Sequence, residues 1–468
     1  MNQNNHDDFR IERDSLGKVK VPANALFGAQ TQRAVENFAI SGIRFPRIAV
    51  QVLGAIKRAA AEVNKELGTL DAECAKYISL ASREIAEGQW YGEFPVDIYQ
   101  TGSGTSLNMN ANEVIANRAM QLADRANASL DIHPNDHVNM GQSSNDVIPT
   151  MLHAAAFVLV HERLLPALRS AGEALRQREE EFHGIVKNGR THLMDAMPIF
   201  LSDEIGAWAD RCEHAAETIE GRLPSLSALA IGGTAVGSGV NTHPEFGARV
   251  AEKLSQVSGK FFTNAKNHFA AQAFLSPAKE LSGALNAFAA DLTKIAEDLR
   301  WMNSGPNGGL GEITLPALQP GSSIMPGKVN PVLCESVIQV CAQVMANDLA
   351  VSIGSSRGNF QLNVMLPLIA HNLLQSIELL ANVLERFTTT TLALFTLNED
   401  NMKSNAERNP VLVTALAPEI GYERAAEIAK RAAREGRSIL EVAMDETDIG
   451  EERLAELLNP ANIAKGNR

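Results

Sequence analysis

Apolar residues recur along much of this chain at spacings of three and four, the period of a helix with one buried face. Three such stripes comprise Leu281, Leu285, Phe288, Leu292, Ile295 and Leu299; Leu373, Ile377, Leu380, Leu384 and Phe387; and Leu164, Leu168, Ala171 and Leu175. Strand-like alternation of apolar and polar residues is rare. We therefore predict an all-α fold and interpret the stripes as core packing. Pro166, inside the third stripe, predicts a kink or a break.

The pattern divides the chain into three regions, and the length of 468 residues also favours about three domains. Residues 1–140 mix turns, short helices and glycine-rich stretches and are predicted to form an N-terminal domain. Residues 141–396 carry the long stripes and are predicted to form a central helical bundle. Residues 397–468, with shorter helical segments, are predicted to form a small C-terminal domain. Stripes this long often continue across a subunit interface, so we predict a homo-oligomer.

Charge and cysteine usage exclude several classes of protein. The 42 Lys and Arg against 55 Asp and Glu give a net charge of −13, which disfavours nucleic acid and anionic membranes as partners. A small dicarboxylate could still bind, because such a site needs only a few local donors. The four cysteines are scattered without a Cys-x-x-Cys pair, so we expect no zinc or iron–sulfur site and predict free thiols in a reducing cytoplasm.

No membrane or secretory segment is predicted. The first 14 residues, MNQNNHDDFRIERD, are polar and acidic, unlike a secretory signal. The apolar stretch from Ala154 to Val160 is too short to span a bilayer. We therefore expect a soluble protein.

Four polar segments group hydroxyls, amides, histidines and glycines as loops that carry chemistry do. They are TGSGTSLNMN (residues 101–110), HPNDHVN (133–139) with QSSND (142–146), GRTHLMD (189–195) and GSSIMPGKVNP (321–331).

The segment 321–331 invites comparison with a phosphate-binding P-loop, which needs four residues between its glycines and Ser or Thr after its Lys. Here five residues separate Gly321 from Gly327, and Val329 follows Lys328, so the nucleotide interpretation fails. What remains is a Gly/Ser loop whose Lys328 and Asn330 suit a carboxylate. Taken alone, it is equally a turn beside a solvated lysine.

The complete string GSSIMPGKVNP resembles the signature of the fumarase/aspartase superfamily. TGSGTSLNMNANEV, HPNDHVN with QSSND, GRTHLMDA and GNFQLNVM resemble the other blocks of that family in the same order. The resemblance extends from about residue 10 to the end of the chain. Gly327-Lys328 and Cys334-Glu335 resemble the class II fumarases, whereas the segment from Ser106 to Asn117 resembles aspartases, so aspartate ammonia-lyase remains the alternative.

The resemblance implies a three-domain fold whose central bundle assembles into a homotetramer, with each active site built from loops of three subunits. It also implies a hydro-lyase of the tricarboxylic acid cycle that interconverts fumarate and L-malate without a cofactor or a metal. A non-catalytic relative that keeps the fold, as some lens crystallins do, is a further alternative, but the chain retains Ser322, His192, Lys328 and Glu335.

The resemblance also implies roles for individual residues. Ser322 is expected to be the base that removes the carbon-bound proton, although a serine in this position could instead cap a turn. His192 is expected to act through a water on the hydroxyl, with Glu335 as its partner. The expected substrate-binding residues are Ser103, Gly104, Thr105, Ser143, Ser144, Asn145, Thr191, Ser323, Lys328 and Asn330. A second dicarboxylate site is expected at His133, Pro134, Asn135 and Asp136.

Overall fold

The structure is a computed structural model that describes residues 8–466. The polar N-terminal stretch that was predicted not to be a secretory signal includes residues 1–7, which lie outside the described residues.

Helices form most of the described chain, which confirms the all-α prediction. In chain order, the first ten are α1 (Ala29–Asn37), α2 (Arg47–Glu66), α3 (Ala72–Ala86), α4 (Thr105–Arg125), α5 (Ser144–Leu159), α6 (Leu165–Glu181), α7 (Leu201–Glu220), α8 (Leu223–Leu226), α9 (Phe246–Ser258) and α10 (His268–Ala273). They are followed by α11 (Ser276–Met302), α12 (Val332–Ser355), α13 (Leu366–Phe387), α14 (Glu399–Glu407), α15 (Ala417–Ile420), α16 (Tyr422–Glu435), α17 (Ile439–Glu446), α18 (Glu451–Leu457) and α19 (Pro460–Lys465). Side-chain caps mark several starts, as Asp71 does for α3 and Ser438 for α17.

The strands of the described residues pair two by two and form no larger sheet. They are β1 (Phe9–Asp14), β2 (Gly17–Pro22), β3 (Val186–Thr191), β4 (Met194–Phe200), β5 (Ala228–Leu229), β6 (Thr263–Asn264), β7 (Ile313–Thr314), β8 (Gly358–Asn359), β9 (Leu362–Asn363) and β10 (Thr396–Leu397). The antiparallel β3–β4 hairpin carries the predicted site residues Thr191 and His192 at its turn.

The three predicted stripes lie on α11, on α13 and across the start of α6, and their residues are all buried. The core-packing interpretation is therefore confirmed. Pro166 does not break its helix, because the helix runs from Ser144 to Glu181. A π-helical turn, Val160–Leu164, precedes α6 and accounts for the local irregularity at the proline.

Contacts within the chain define two compact units. The first comprises residues 1–166, 217–287 and 342–381, and the second comprises residues 167–216, 288–341 and 382–468. Part of the second unit has its own apolar core around Leu416, Ile428, Val442 and Leu454, supplied by the C-terminal helices. The division into 1–140, 141–396 and 397–468 follows sequence pattern instead of contacts, and it stays a prediction.

Two helical stretches of the described chain are long and apolar enough to cross a membrane by length and composition alone, Ser144–Glu181 and Val332–Ser355. The most apolar window is 67% buried within the chain in the first and 39% buried in the second. Core helices of soluble proteins pass the same test, so two such helices are a weak indication of a membrane span.

Candidate active site

The first polar segment is only partly a loop, because α4 begins at Thr105. Gly104 has φ +72° and Gly102 lies so close to the Val364 carbonyl that a Cβ there would be 2.0 Å from its oxygen, so both positions need glycine. The Ser103 and Thr105 hydroxyls are 2.8 Å apart, and Ser103 is buried. The turn therefore presents two hydroxyls at the amino end of a helix, where backbone amides favour an anion.

Ser143, Ser144 and Asn145 form the start of α5. Ser143 caps the helix in a capping box with Asp146, whose carboxylate accepts the Ser143 amide at 2.9 Å. The Asn145 side-chain amide donates to the Ala235 carbonyl at 2.8 Å. The segment again places polar groups at a helix amino terminus.

His133 to Asp136, the predicted second dicarboxylate site, precede these residues. His133 caps the π-helical turn Pro134–Val138, with its Nδ1 accepting the Asp136 amide at 3.2 Å and lying 3.1 Å from the Asp136 carboxylate. Asn135 is exposed beside them. The turn is exposed, and the Asp136 carboxylate already lies against the His133 ring.

Thr191 and His192 lie at the tip of the β3–β4 hairpin instead of in a loop. Thr191 pairs with Met194, so His192 and Leu193 are the two turn residues, with φ of 55° and 60°. Both torsions are left-handed, as a type I′ turn requires, although neither residue is glycine. The tip is exposed, including His192 and Leu193.

The Ser322 loop is closed at both ends by hydrogen bonds. The Gly321 amide donates to the Lys328 carbonyl at 2.9 Å, and the Asn330 side chain donates to the Gly321 carbonyl at 2.6 Å. Within this loop the Ser322 Oγ accepts the backbone amides of Ile324 at 3.2 Å and Met325 at 3.0 Å. Two N–H dipoles therefore point at the hydroxyl predicted to act as a base.

Lys328, Asn330 and Glu335 line one cavity of about 360 Å³. The Lys328 ammonium donates to the Asn330 side-chain oxygen at 2.6 Å, and Glu335 lies in the first turn of α12. Ser323 is exposed next to Ser322. The Lys328 ammonium, the Asn330 amide and the Glu335 carboxylate thus line the same cavity beside the Ser322 loop.

The predicted residues fall into two groups by compact unit. The first unit contains Ser103, Gly104, Thr105, Ser143, Ser144 and Asn145, and the second contains Thr191, His192, Ser322, Ser323, Lys328, Asn330 and Glu335. In the part of a single chain that the structure describes, no hydrogen bond or ion pair joins His192 to Glu335, and His192 does not line the cavity that Glu335 lines. The structure therefore does not bring the predicted acid–base pair together within one copy.

Comparison with known proteins gives consistent matches over nearly the whole chain. A protein family described as lyase matches residues 17–346, and one described as fumarase C C-terminus matches residues 412–465. The class II fumarate hydratase of Xylella fastidiosa (strain Temecula1) is 52% identical over 466 residues, covering 100% of this chain and 98% of that relative. The chain belongs to the class II fumarase family.

Other members support this assignment. A class II fumarate hydratase of Pseudomonas aeruginosa is 51% identical and covers 98% of this chain and 99% of its own length. The crystal structure of a class II fumarase from Schistosoma mansoni superimposes with a TM-score of 0.94 at 37% identity, covering 98% of this chain and 100% of that one. The predicted family and the predicted fumarase-like helical fold are confirmed.

Part of the Glu335 cavity of this fumarase-family chain was not predicted from the sequence. Arg300, Trp301 and Ser304 line it together with Glu297, which accepts a hydrogen bond from Arg300 at 2.8 Å. These residues end the most prominent apolar stripe, and Arg300 follows Leu299 directly. The signal in the sequence that could have predicted this part of the cavity was a guanidinium, Arg300, at the end of a buried helix face and just before the Ser304-Gly305 turn.

No group of three or more His, Cys, Asp or Glu side chains among residues 8–466 of this fumarase-family protein is arranged to hold a metal ion. The expectation that catalysis needs no metal or cofactor stays a prediction.

Proposed function

We propose that this protein hydrates fumarate to L-malate and catalyses the reverse dehydration, with Ser322 as the base. The observation that carries the assignment of Ser322 is its hydroxyl oxygen accepting two backbone amides, from Ile324 and Met325. Family membership supports the reaction, and this geometry supports the role of the residue.

Dehydration of malate requires removal of a weakly acidic proton from the carbon beside a carboxylate. A serine hydroxyl can do this only if its deprotonated form is stabilised, and two preorganised N–H donors provide such stabilisation. The ammonium of Lys328, at the other end of the closed loop, adds positive charge. The intermediate carries an extra negative charge on its carboxylate, which Lys328 and Asn330 are positioned to accept.

His192 is proposed to protonate the leaving hydroxyl through a water in dehydration, and to activate that water in hydration. An imidazole exchanges protons near neutral pH, which suits both directions. Glu335, in the first turn of α12, is proposed to orient the imidazole and raise its basicity. Because these two side chains are not joined within one chain, we propose that they meet between subunits.

The remaining donors are proposed to bind the two substrate carboxylates. They are Ser103, Gly104, Thr105, Ser143, Ser144, Asn145, Thr191 and Ser323. Two groups of them lie at the amino ends of α4 and α5, where backbone amides assist anion binding. We propose a homotetramer in which loops of three copies complete each site, and an isolated monomer is expected to be inactive.

A second, weaker dicarboxylate site is proposed at His133, Pro134, Asn135 and Asp136. The exposed π-helical turn offers an imidazole and backbone amides, but the Asp136 carboxylate already lies against the ring. A dicarboxylate would have to displace that carboxylate, which supports a low affinity.

We also propose that the protein is soluble and cytoplasmic. All four cysteines are free thiols, and Cys212, Cys334 and Cys341 are buried. Free, unpaired cysteines are typical of a reducing compartment.

The first test follows the loss of the ultraviolet absorbance of fumarate on addition of purified protein with a metal chelator. Wild-type protein is expected to hydrate fumarate rapidly, and Ser322→Ala is expected to lower kcat by about 10³-fold or more, because the base is lost. Ser356→Ala, which changes an exposed serine after α12, is the matched control and should leave kcat unchanged.

Near-normal activity of Ser322→Ala would overturn the proposed role of Ser322 while leaving the reaction intact. L-Aspartate is offered in a parallel assay. If fumarate is untouched and L-aspartate yields fumarate, the protein is an aspartate ammonia-lyase, and inactivity towards both would overturn the proposed reaction.

A further inference from the structure

Lys57 is a lysine in the middle of the apolar face of α2. Its side chain is fully buried, next to the buried residues Leu53, Ile56, Ala60 and Ala61 on the same helix. A buried ammonium is unfavourable unless it is hydrogen bonded and paired, and an apolar residue would fill this position without that cost. The lysine therefore calls for an explanation beyond core packing.

The ammonium of Lys57 holds the segment that leads to Ser143. It donates to the side-chain oxygens of Asn139 and Gln142, each at 2.9 Å. Gln142 directly precedes Ser143, and the Asn139 side chain also donates to the Gln142 carbonyl at 3.2 Å. Lys57 thus fixes the backbone immediately before the predicted substrate-binding residues Ser143, Ser144 and Asn145.

The same network also reaches the polar segment 101–110. Asn108, on α4 one turn after Thr105, donates to the Asn139 oxygen that Lys57 also contacts, at 3.1 Å. Asn108 is buried, so this contact is sheltered from water. One side-chain oxygen therefore connects the helix that begins at Thr105 with the loop that ends at Ser143.

Asp146 provides the negative charge of this network. It is fully buried, and its carboxylate accepts the backbone amides of Ser143 at 2.9 Å, Gly232 at 3.0 Å and Thr234 at 2.8 Å. The next residue after Thr234 is Ala235, whose carbonyl accepts the side-chain amide of Asn145. Asp146 thus fixes both the backbone of Ser143 and the group that orients Asn145.

The two charges act on each other within the buried network. Burial raises the pKa of Asp146 to about 6, although three backbone hydrogen bonds and the charge of Lys57 oppose the rise. Burial likewise lowers the pKa of Lys57 to about 7, and the charge of Asp146 opposes the fall. Each charge therefore makes the other less unfavourable, and loss of one would leave the other uncompensated.

We infer that Lys57 and Asp146 are positioning residues of the substrate site, which hold Ser143, Ser144 and Asn145 at a fixed geometry relative to Thr105 without touching substrate. The inference rests on the proposed function, because it assigns these donors to a dicarboxylate. Binding groups must be held to within a fraction of an ångström, and rigid support from buried neighbours supplies that precision.

The test compares variants that remove one charge or both. Lys57→Met alone removes the positive charge that offsets the buried Asp146 carboxylate and leaves the Asn139 and Gln142 oxygens without their donor, so it is expected to fold poorly. The double variant Lys57→Met with Asp146→Asn removes both charges at similar volumes, so it is expected to be more stable than Lys57→Met, but less stable than the wild type because the new amide accepts backbone N–H groups through only one of its two ends. If the pair positions the donors, the double variant should raise KM for fumarate by about tenfold while kcat changes by less than about threefold.

A matched control is the ion pair of the buried Arg118 and the half-buried Glu84, which joins α4 to α3 in the same unit with distances of 2.6 and 2.8 Å. Arg118→Met with Glu84→Gln removes one charge from the helix that starts at Thr105 and its partner from α3, and neither residue contacts a predicted substrate-binding segment. Its KM should stay within about threefold of the wild-type value.

A further variant covers the case in which the double variant does not fold. Gln142→Leu removes one of the two acceptors of Lys57 and leaves the other, and it is expected to raise KM by about threefold or more. An unchanged KM in a folded variant, or activity lost only in proportion to the unfolded fraction, would overturn the positioning role. Failure of wild-type protein to hydrate fumarate would instead overturn the proposed function, and the wild-type assay is therefore run first.

Discussion

At the scale of single residues, His153 shows how burial controls a charge. It lies in α5 with only 3% of its surface exposed. Burial lowers the pKa of its imidazole from 6.5 to about 4. The folded protein therefore keeps His153 neutral at pH values at which an unfolded chain would protonate it.

This difference predicts a loss of stability in mild acid. The contribution of His153 is complete above its unfolded pKa of 6.5 and falls as the pH drops towards its folded value of about 4. Between pH 7.5 and pH 5 the loss should be about 2 kcal/mol, because only the unfolded state gains the proton. In denaturant unfolding at both pH values, His153→Gln should lose about 2 kcal/mol less unfolding free energy between pH 7.5 and pH 5 than the wild type does.

The exposed His183 provides the control for this prediction. His183→Gln should lose stability in acid as the wild type does. If His153→Gln and the wild type lost equal amounts, the buried neutral histidine would not contribute to the acid sensitivity.

At the scale of elements, the β3–β4 hairpin is held by a buried group of charges. Lys187 lies 2.7 Å from the Glu204 carboxylate and 3.3 Å from that of Glu312, and Arg190 donates to Glu312 at 2.6 Å. Glu312 is fully buried and Lys187 nearly so. Charge-assisted hydrogen bonds from Lys187 and Arg190 therefore fix strand β3, which leads into the turn that carries His192.

Removal of the central carboxylate should destabilise this element strongly. Glu312→Gln leaves Lys187 and Arg190 with one negative partner fewer, and the free energy of unfolding should fall by about 3 kcal/mol. Denaturant unfolding measures this directly. Glu181→Gln, which breaks the surface pair between Glu181 and Arg178, is the comparison and should cost less than about 0.5 kcal/mol. Equal effects of the two substitutions would contradict the account of the hairpin.

At the scale of the whole molecule, the question is which copy supplies each catalytic group. His192 is exposed at a hairpin tip, and the Ser322 loop is exposed as well, with Ile324 83% exposed. Exposed apolar residues and predicted catalytic residues on two separate loops are typical of a surface that another subunit completes. The oligomeric state and the sharing of sites stay predictions.

Complementation tests them together. Ser322→Ala and His192→Asn are each expected to be inactive alone, but co-expressed chains should regain about a quarter of wild-type activity, since random mixing leaves both groups intact in about one site of four. The activity of each variant expressed alone is the baseline. Absence of any recovery in a mixed oligomer, verified by two different affinity tags, would mean that both side chains come from the same chain.

The sequence by itself determined the helical fold and the family of this protein. Helical periodicity is a local property, so the stripes on α11 and α13 could be predicted without knowledge of their partners. The order of the polar segments identified the lyase family and its class, because each segment is a continuous string. The predicted roles of Ser322, His192 and Glu335 also came from those strings, and they await the experiments above.

Only the tertiary structure decided how the segments are supported. The sequence places Lys57 beside Arg58 as if it were solvated, but the packing of α2 buries its ammonium against Asn139 and Gln142, more than eighty residues away. It also decided that His192 lies in a left-handed turn and that Arg300 shares a cavity with Glu335. Burial and long-range hydrogen bonds depend on which distant segments pack together, and no local pattern in a single sequence contains that information.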